Sequence, residues 1–280
     1  MVKCFRAREH TREHKEKGTV FMTLEPSVAI VTGAGQGIGR AIALRLAQDG
    51  LSVVTVDLRQ DPLTQISEEI QALGGNALPL VIDITQSEQR EQMIQATLEH
   101  FQRLDVLVNN AGIQRISTPL DVTEEHWDEI MNVNAKATYF CCQSALRHML
   151  KQRSGCIVNM ASIAGKMAST IHHPIYNVSK AAVLAMTKTL ALAYASSGIR
   201  INAVCPGIIE TPMQDVVDRE VARITGQQPA EIRAERMARI PLARIGEPAD
   251  IAEVVSFLVG PGARYMTGQA LNVDGGILTY

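Results

Sequence analysis

The chain has 280 residues, 46% hydrophobic and 20% charged, with a formal net charge of -2. That balance belongs to a globular protein of about one large α/β domain, and the lack of a basic stripe excludes a nucleic-acid partner. No apolar run approaches the roughly 20 residues of a bilayer-crossing helix, and the five cysteines (Cys4, Cys141, Cys142, Cys156, Cys205) suit reduced thiols of a cytoplasmic protein better than a disulfide framework or a metal site.

Residues 1–22 are strongly charged, carry Glu9, Glu13 and Glu16, and lack the apolar centre of a secretory signal. They are expected to form a solvated tail ahead of one domain at residues 23–280. From Ser27, short β-branched runs alternate with longer helical ones. SVAIVT predicts a first strand, GIGRAIALRLAQDG a helix closed by Gly50, and SVVTVDL a second strand. A helix from about Pro62 to Leu73, the strand ALPLVIDI, a helix from about Ser87 to Phe101 and the strand LDVLVNN follow. One long helix is expected over Glu124 to Lys151, then the strand GCIVNMAS, a helix from about Ile175 to Ser196 and the strand IRINAVCP. Thr211 to Ile240 is polar and helix-prone, interrupted by GQQP around Pro229; so long a connection reads as a substrate-covering insert. A helix from about Pro248 to Leu258 and the strand QALNVDGG close the chain. Strands alternating with helices imply crossovers, hence a doubly wound parallel α/β sheet in a single domain.

TGAGQGIG lies between the first strand and the first helix, where a dinucleotide-binding turn belongs. Gly33, Gly35, Gly37 and Gly39, with Gln36 and Ile38 in the same turn, would let the backbone approach a pyrophosphate at the helix N-terminus. A merely structural strand-to-helix turn would use the same glycines. Asp57, eighteen positions after Gly39, ends the second strand where an acid accepts hydrogen bonds from ribose hydroxyls and repels a 2′-phosphate. It points to NAD(H) over NADP(H), with Arg59 as the opposing charge. Asp83, with Ile84 beside it, is placed to meet the adenine edge, and Asn110-Ala111-Gly112 ends the fourth strand where small residues let a cofactor pass. Asn110 serves equally well as a turn residue that fixes neighbouring strands.

Tyr176-x-x-x-Lys180 puts a phenol and an ammonium one helical turn apart on one face. An ammonium favours phenolate, so the pair predicts a phenol pKa drawn down from about 10, able to take a proton from an alcohol or return one to a carbonyl. Ser162, fourteen residues earlier, lies at the carboxyl edge of a strand and could hydrogen-bond the reacting oxygen. Asn134, polar among the apolar neighbours of MNVNAKATYF, reads as a buried amide bonded to backbone that can also hold a water.

With TGAGQGIG, Asp57, Asp83, NNAG, Asn134, Ser162, YNVSK, Pro206-Gly207 with Thr211, and VDGG in that order, the chain from about Ser27 to Gly276 resembles a classical short-chain dehydrogenase/reductase. The resemblance implies a Rossmann-type sheet of seven strands ordered 3-2-1-4-5-6-7 and a catalytic tetrad of Asn134, Ser162, Tyr176 and Lys180. It also implies that Lys180 bonds the nicotinamide ribose, that Asn134 positions a relay water, and that Pro206, Gly207, Ile208 and Thr211 border the nicotinamide, the last two holding its carboxamide. A homotetramer built through the two long helices and the last strand is implied as well. The chemistry needs no metal, since Tyr and Ser polarise the oxygen. The insert resembles that of family members acting on polyols, vicinal diols and acetoin-like hydroxyketones, so the first reading is an NAD(H)-dependent alcohol dehydrogenase for such a compound. A 3-oxoacyl thioester reductase and a dinucleotide-binding regulator without turnover are the alternatives. Substrate-side candidates are Ile113, Gln114, Ala164, Lys166, His172, His173 and Met213.

Overall fold

Residues 27–168 and 172–279 are described by a computed structural model, and the expected tail at 1–22, with Cys4, lies outside them. Val28–Thr32 (β1) is buried at every position, because a central strand of a parallel sheet has helices over both faces and no solvent side. Its alternation still sorts side chains: Ala29 and Val31 enter one apolar layer, Val28 and Ile30 the other.

The chain continues through Gly37–Gln48 (α1), Ser52–Asp57 (β2), Gln60–Ala72 (α2), Ala77–Val81 (β3), Ser87–Phe101 (α3) and Val106–Asn109 (β4). Then come Glu124–Met131 (α4), Thr138–Gln152 (α5), Gly155–Met160 (β5), Pro174–Tyr194 (α6) and Ile199–Pro206 (β6). Pro212–Thr225 (α7), Pro229–Ala238 (α8), Pro248–Val259 (α9) and Ala270–Val273 (β7) complete it. The seven strands are ordered β3-β2-β1-β4-β5-β6-β7 and all pair in parallel, the arrangement the resemblance implies. Residues of α1, α2 and α9 fill the layer on one face, and those of α3, α5 and α6 the layer on the other. The order reverses between β1 and β4, which opens a crevice at the carboxyl ends of the strands.

Two expected elements are cut shorter. The third strand ends at Val81 rather than Ile84, because Asp83 accepts from the Thr85 amide at 2.9 Å and hydroxyl at 2.7 Å, a turn that takes the chain off the ladder. The helix expected over Glu124 to Lys151 is broken by a π-helical turn at Asn132–Ala137. There the Asn134 amide pairs with the Ile113 backbone, Oδ1 accepting from N at 2.8 Å and Nδ2 donating to O at 2.9 Å. Thr138 Oγ1 donates to the Asn134 carbonyl at 2.8 Å. A one-residue bulge of this kind leaves the apolar period almost unchanged, so periodicity does not reveal it.

The insert folds as α7 and α8, parted at Gly226 (φ 76°) where GQQP predicts a break. Proline opens each helix, a position that needs no amide hydrogen. Val217, Val221, Ala222 and Ile232, with Ile116 against them, form a small core of their own. Among the described residues no helix is long and apolar enough to cross a membrane.

Candidate active site

One cavity of about 760 Å³ lies along the carboxyl edge of the sheet and under α7 and α8. At one end the backbone is laid bare. Gly33 (φ 65°) and Gly37 (φ 55°) adopt left-handed conformations that favour glycine. A Cβ on Gly35 would stand 2.8 Å from Asp57 Oδ2, and one on Gly37 3.3 Å from Thr211 Cγ2. The turn delivers the cavity to the N-terminus of α1, where Gln36 makes no side-chain cap, and open amides there attract an anion. Gly39 lies behind this surface, since a Cβ there would collide with the Gly33 carbonyl; it lets α1 close on the strand. Asn110 does both things considered for it: Nδ2 bonds the Thr32 carbonyl at 3.0 Å and the Gly33 carbonyl at 3.1 Å, and the residue also lines the cavity, as do Ala111 and Gly112.

Asp57 lines the same end. Its Oδ2 accepts from the Gly35 amide at 3.0 Å, and its Oδ1 from Arg59 N at 3.2 Å and Nε at 3.4 Å. Arg40, close by in the turn helix, is committed to Glu69 instead of the cavity. Asp83 and Ile84 line the neighbouring wall. Burial works to raise the Asp83 pKa, but hydrogen bonds from Thr85 and Gln86 outweigh it and hold the carboxyl below its usual value. This end of the cavity is therefore acidic, with its one lining guanidinium already beside Asp57.

The other end brings Ser162, Tyr176 and Lys180 together. Ser162 follows β5, and its hydroxyl accepts from Ala164 N at 3.1 Å and hydrogen-bonds the Tyr176 phenol. Lys180, one turn after Tyr176, donates to the Met160 carbonyl at 2.8 Å and stands 5.5 Å from the tyrosine ring centre. Burial pushes the phenol up to about 12, against the opposing bond from Ser162, and pulls the lysine down to about 8. The expected lowering of the phenol pKa is thus not found. Desolvation penalises both charged forms, and the ammonium is bound to a carbonyl rather than to the phenol oxygen. A neutral phenol poised to donate is the result.

Asn134 is fully buried and does not line the cavity; its amide is spent on Ile113 and on Ser179 Oγ, 3.1 Å away. Ser179, which sequence reading passes over, in turn donates to the Tyr176 carbonyl at 2.8 Å. It ties the π-turn to the helix of the catalytic pair, and its place three residues after Tyr176 is the signal that could have found it. A Cβ on Gly112 would come 3.2 Å from Asn134 Oδ1 and 3.5 Å from Lys180 Nζ. The bare glycine therefore keeps space open beside the ammonium.

Pro206, Gly207, Ile208 and Thr211 all line the cavity, and Thr211 caps α7 by accepting from Gln214 N at 3.3 Å. Of the substrate-side candidates, Ile113, Gln114, Ala164, His172, His173 and Met213 line it too. Lys166 does not: its ammonium is drawn to the Ala270 carbonyl at 2.7 Å and to Asn272 Oδ1 at 2.6 Å, on the last strand. His173 is buried, shares a hydrogen bond with Asn177 Oδ1 at 2.9 Å, and meets the Tyr176 ring edge-on at 5.6 Å. Burial holds its pKa below the usual value, so the imidazole is neutral at pH 7. The insert adds a roof of Val217, Val221, Ile232 and Arg236. Sequence reading missed Arg236, whose anchor Asp218 belongs to the other helix of the insert; no local spacing joins them.

The whole arrangement is that of a dinucleotide-dependent oxidoreductase, and comparison with known proteins agrees. Residues 33–278 match the family model adh_short_C2, described as Enoyl-(Acyl carrier protein) reductase. The 3-oxoacyl-(acyl-carrier-protein) reductase FabG of Thermotoga maritima is 38% identical over 257 residues, covering 92% of this chain and all of the relative. Among solved structures, a variant actinorhodin polyketide ketoreductase with NADPH superposes with a TM-score of 0.88 at 36% identity, over 91% of this chain and 98% of that one. NAD⁺-bound xylitol dehydrogenase superposes with a TM-score of 0.86 at 30% identity, over 89% and 98%. The chain belongs to the classical short-chain dehydrogenase/reductase family. Like the family, it is an oxidoreductase that binds a nicotinamide dinucleotide.

Proposed function

We propose that the chain reduces the ketone of a 3-oxoacyl thioester to a secondary alcohol, using NADH in preference to NADPH. The observation that carries this reading is the single cavity in which Ser162, Tyr176 and Lys180 meet at one end, Asp57 sits at the other, and apolar residues of the insert cover the reacting region. A small polyol would need many hydrogen-bonding partners there. Gln114, Gln214, Gln227 and Glu235 supply some, while Ile113, Met213, Val217, Val221 and Ile232 add an apolar surface that suits an acyl chain better. The FabG relative's name points the same way, so the thioester reading displaces the polyol one.

The bare backbone at Gly33, Gly37 and Gly112 is space that any Cβ would fill, and it suits a dinucleotide laid along the sheet edge. When bound, the nicotinamide supplies or accepts the hydride. The protein's task is the proton and the oxygen. Ser162 donates to the carbonyl oxygen and holds it near the phenol; Tyr176 delivers its proton to that oxygen as the alcohol forms. The Lys180 ammonium then faces a phenolate, which it stabilises, and the family resemblance supports its bonding the nicotinamide ribose as well. Asn134 acts through its backbone attachments, holding the π-turn beside Lys180 for a relay water.

Asp57 supports NADH over NADPH, because a 2′-phosphate would meet the carboxylates of Asp57 and Asp83 at an end where Arg59 already sits against Asp57. Exposed Tyr139 on α5 and Val178 and Leu192 on α6 support the homotetramer, and the buried free cysteines accord with a cytoplasmic location. Light scattering would check the assembly. The activity is tested by a panel of a 3-oxobutanoyl thioester, diacetyl, acetoin and xylitol with each cofactor. Thioester reduction with NADH is expected. Polyol oxidation without thioester reduction would overturn the reading, and tight NADH binding without any turnover would favour a regulator.

A further inference from the structure

We infer that Arg236 reads a second carbonyl oxygen on the substrate, so that the site selects 1,3-dicarbonyl compounds over isolated ketones. The inference rests on the ketoreductase reading above and deepens it.

Arg236 reaches the cavity from α8, in a roof where Val217, Val221 and Ile232 stand beside Gln214, Thr225, Gln227, Glu235 and Arg239. Its side chain is 15% exposed and is held by Nη1 on Asp218 Oδ1 at 2.6 Å. Asp218 is itself buried on α7 and takes a second bond on the same oxygen, from Gln214 Nε2 at 2.9 Å. Among the described residues this is the only hydrogen bond of the Arg236 side chain, which leaves Nε and Nη2 for what enters the cavity. A partly desolvated guanidinium with unused donors is costly where only a staple between two helices is needed. It is useful where an oxygen acceptor arrives.

The surrounding charges choose the acceptor. Arg236 and Arg239 line this part of the wall together with Glu235, and Asp218 lies behind Arg236. Two acids therefore balance two guanidiniums, and the His173 imidazole on the catalytic side, its pKa held below the usual value by burial, adds little positive charge. A carboxylate would compete with Asp218 and face Glu235. A neutral carbonyl gains the charged donor without that repulsion. In a 3-oxoacyl thioester, that carbonyl is the thioester C=O, two carbons from the ketone that Tyr176 and Ser162 hold.

The test separates reading from stapling. In a Tyr176→Phe background with NADH present, calorimetry compares ethyl 3-oxobutanoate with hexan-2-one, which is similar in size and lacks the second carbonyl. With Arg236 intact the dicarbonyl should bind about tenfold more tightly. Arg236→Met should erase that difference by weakening the dicarbonyl alone, and Arg236→Lys should restore part of it. Equal binding of the two probes with Arg236 intact overturns the inference. Equal weakening of both probes by Arg236→Met overturns it too, since that is what loss of a staple would do. Failure of the thioester reading is a separate result: no thioester turnover by wild type, with the two-probe difference intact, would leave Arg236 as a dicarbonyl reader in a different reaction.

Discussion

The floor and the roof of the cavity are built by different means. On the floor, Ser162 and Lys180, with Asn134 beneath them, are buried and bonded to backbone groups that belong to the sheet or abut it: Lys180 to Met160, Asn134 to Ile113, Ser162 to Ala164. The roof is two short helices around a small apolar core, and its one polar side chain of consequence is held by another side chain. Groups fixed to the sheet cannot shift without disturbing the main core, so the proton chemistry is rigid. The roof can change its residues, and hence its substrate, at little cost to the rest of the fold.

The sharpest break of this contrast is at the floor. Tyr176→Phe keeps the ring against His173 and removes only the proton donor. Turnover should fall by roughly 10²- to 10⁴-fold while the NADH dissociation constant, read by fluorescence, stays within about twofold of wild type. Retention of near wild-type turnover would mean that another group carries the proton.

Lys180 gives the next largest effect, and it is one of stability. Its pKa is about 8 in the fold, pulled down by burial from the ordinary 10.5. At pH 7 the fold therefore holds a buried ammonium at a cost. Between about pH 8 and 10.5 the unfolded chain keeps a proton that the folded chain has released, so stability from this group rises with pH, by about 3 kcal/mol in all. Tyr176 and the buried thiols act in the opposite sense above about pH 9, since burial raises their pKa values. The readout is thus the difference between wild type and Lys180→Met in urea unfolding from pH 7 to 10. Wild type should gain on the variant as pH rises, and a constant difference would show that the buried charge costs nothing.

Asp57 tests the far end of the same floor. Asp57→Ala should lower kcat/KM for NADH by about ten- to a hundredfold, through loss of charged ribose contacts, and raise it for NADPH by removing the repulsion and freeing Arg59. If both cofactors lose equally, the carboxylate is holding the Gly35 turn rather than choosing the cofactor.

What the sequence discloses follows the same division. The alternation of strands and helices, the glycine turn and the Tyr176–Lys180 pair are legible because each depends on local period or spacing, whereas the strand order is reached only through the family resemblance. The π-turn at Asn134 is not legible, since it hinges on a pairing with Ile113, twenty-one positions away. Lys166 is misjudged for a similar reason: it stands beside the site in sequence, but its ammonium answers to acceptors on the last strand. The phenol pKa is misjudged because spacing predicts a charge neighbour and says nothing of desolvation. Arg236 and Asp218 are eighteen residues apart on different helices, so only the folded insert shows them as a pair.

The smallest effect should come from trimming the roof, and it is the one that tells most about its independence. Val221→Ala opens a gap between α7, α8 and Ile116, in a cluster that the main core does not share. It should raise KM for the acyl substrate a few-fold, leave kcat within about twofold, and cost roughly 1–3 kcal/mol or less, because an exposed insert can settle into the space. Val158→Ala removes the same atoms from the middle of β5, two residues before the Met160 carbonyl that holds Lys180. There kcat should fall along with the melting temperature. If the two variants lose kcat alike, then roof and floor move as one body, and the substrate cover is part of the proton-transfer machinery rather than an exchangeable addition to it.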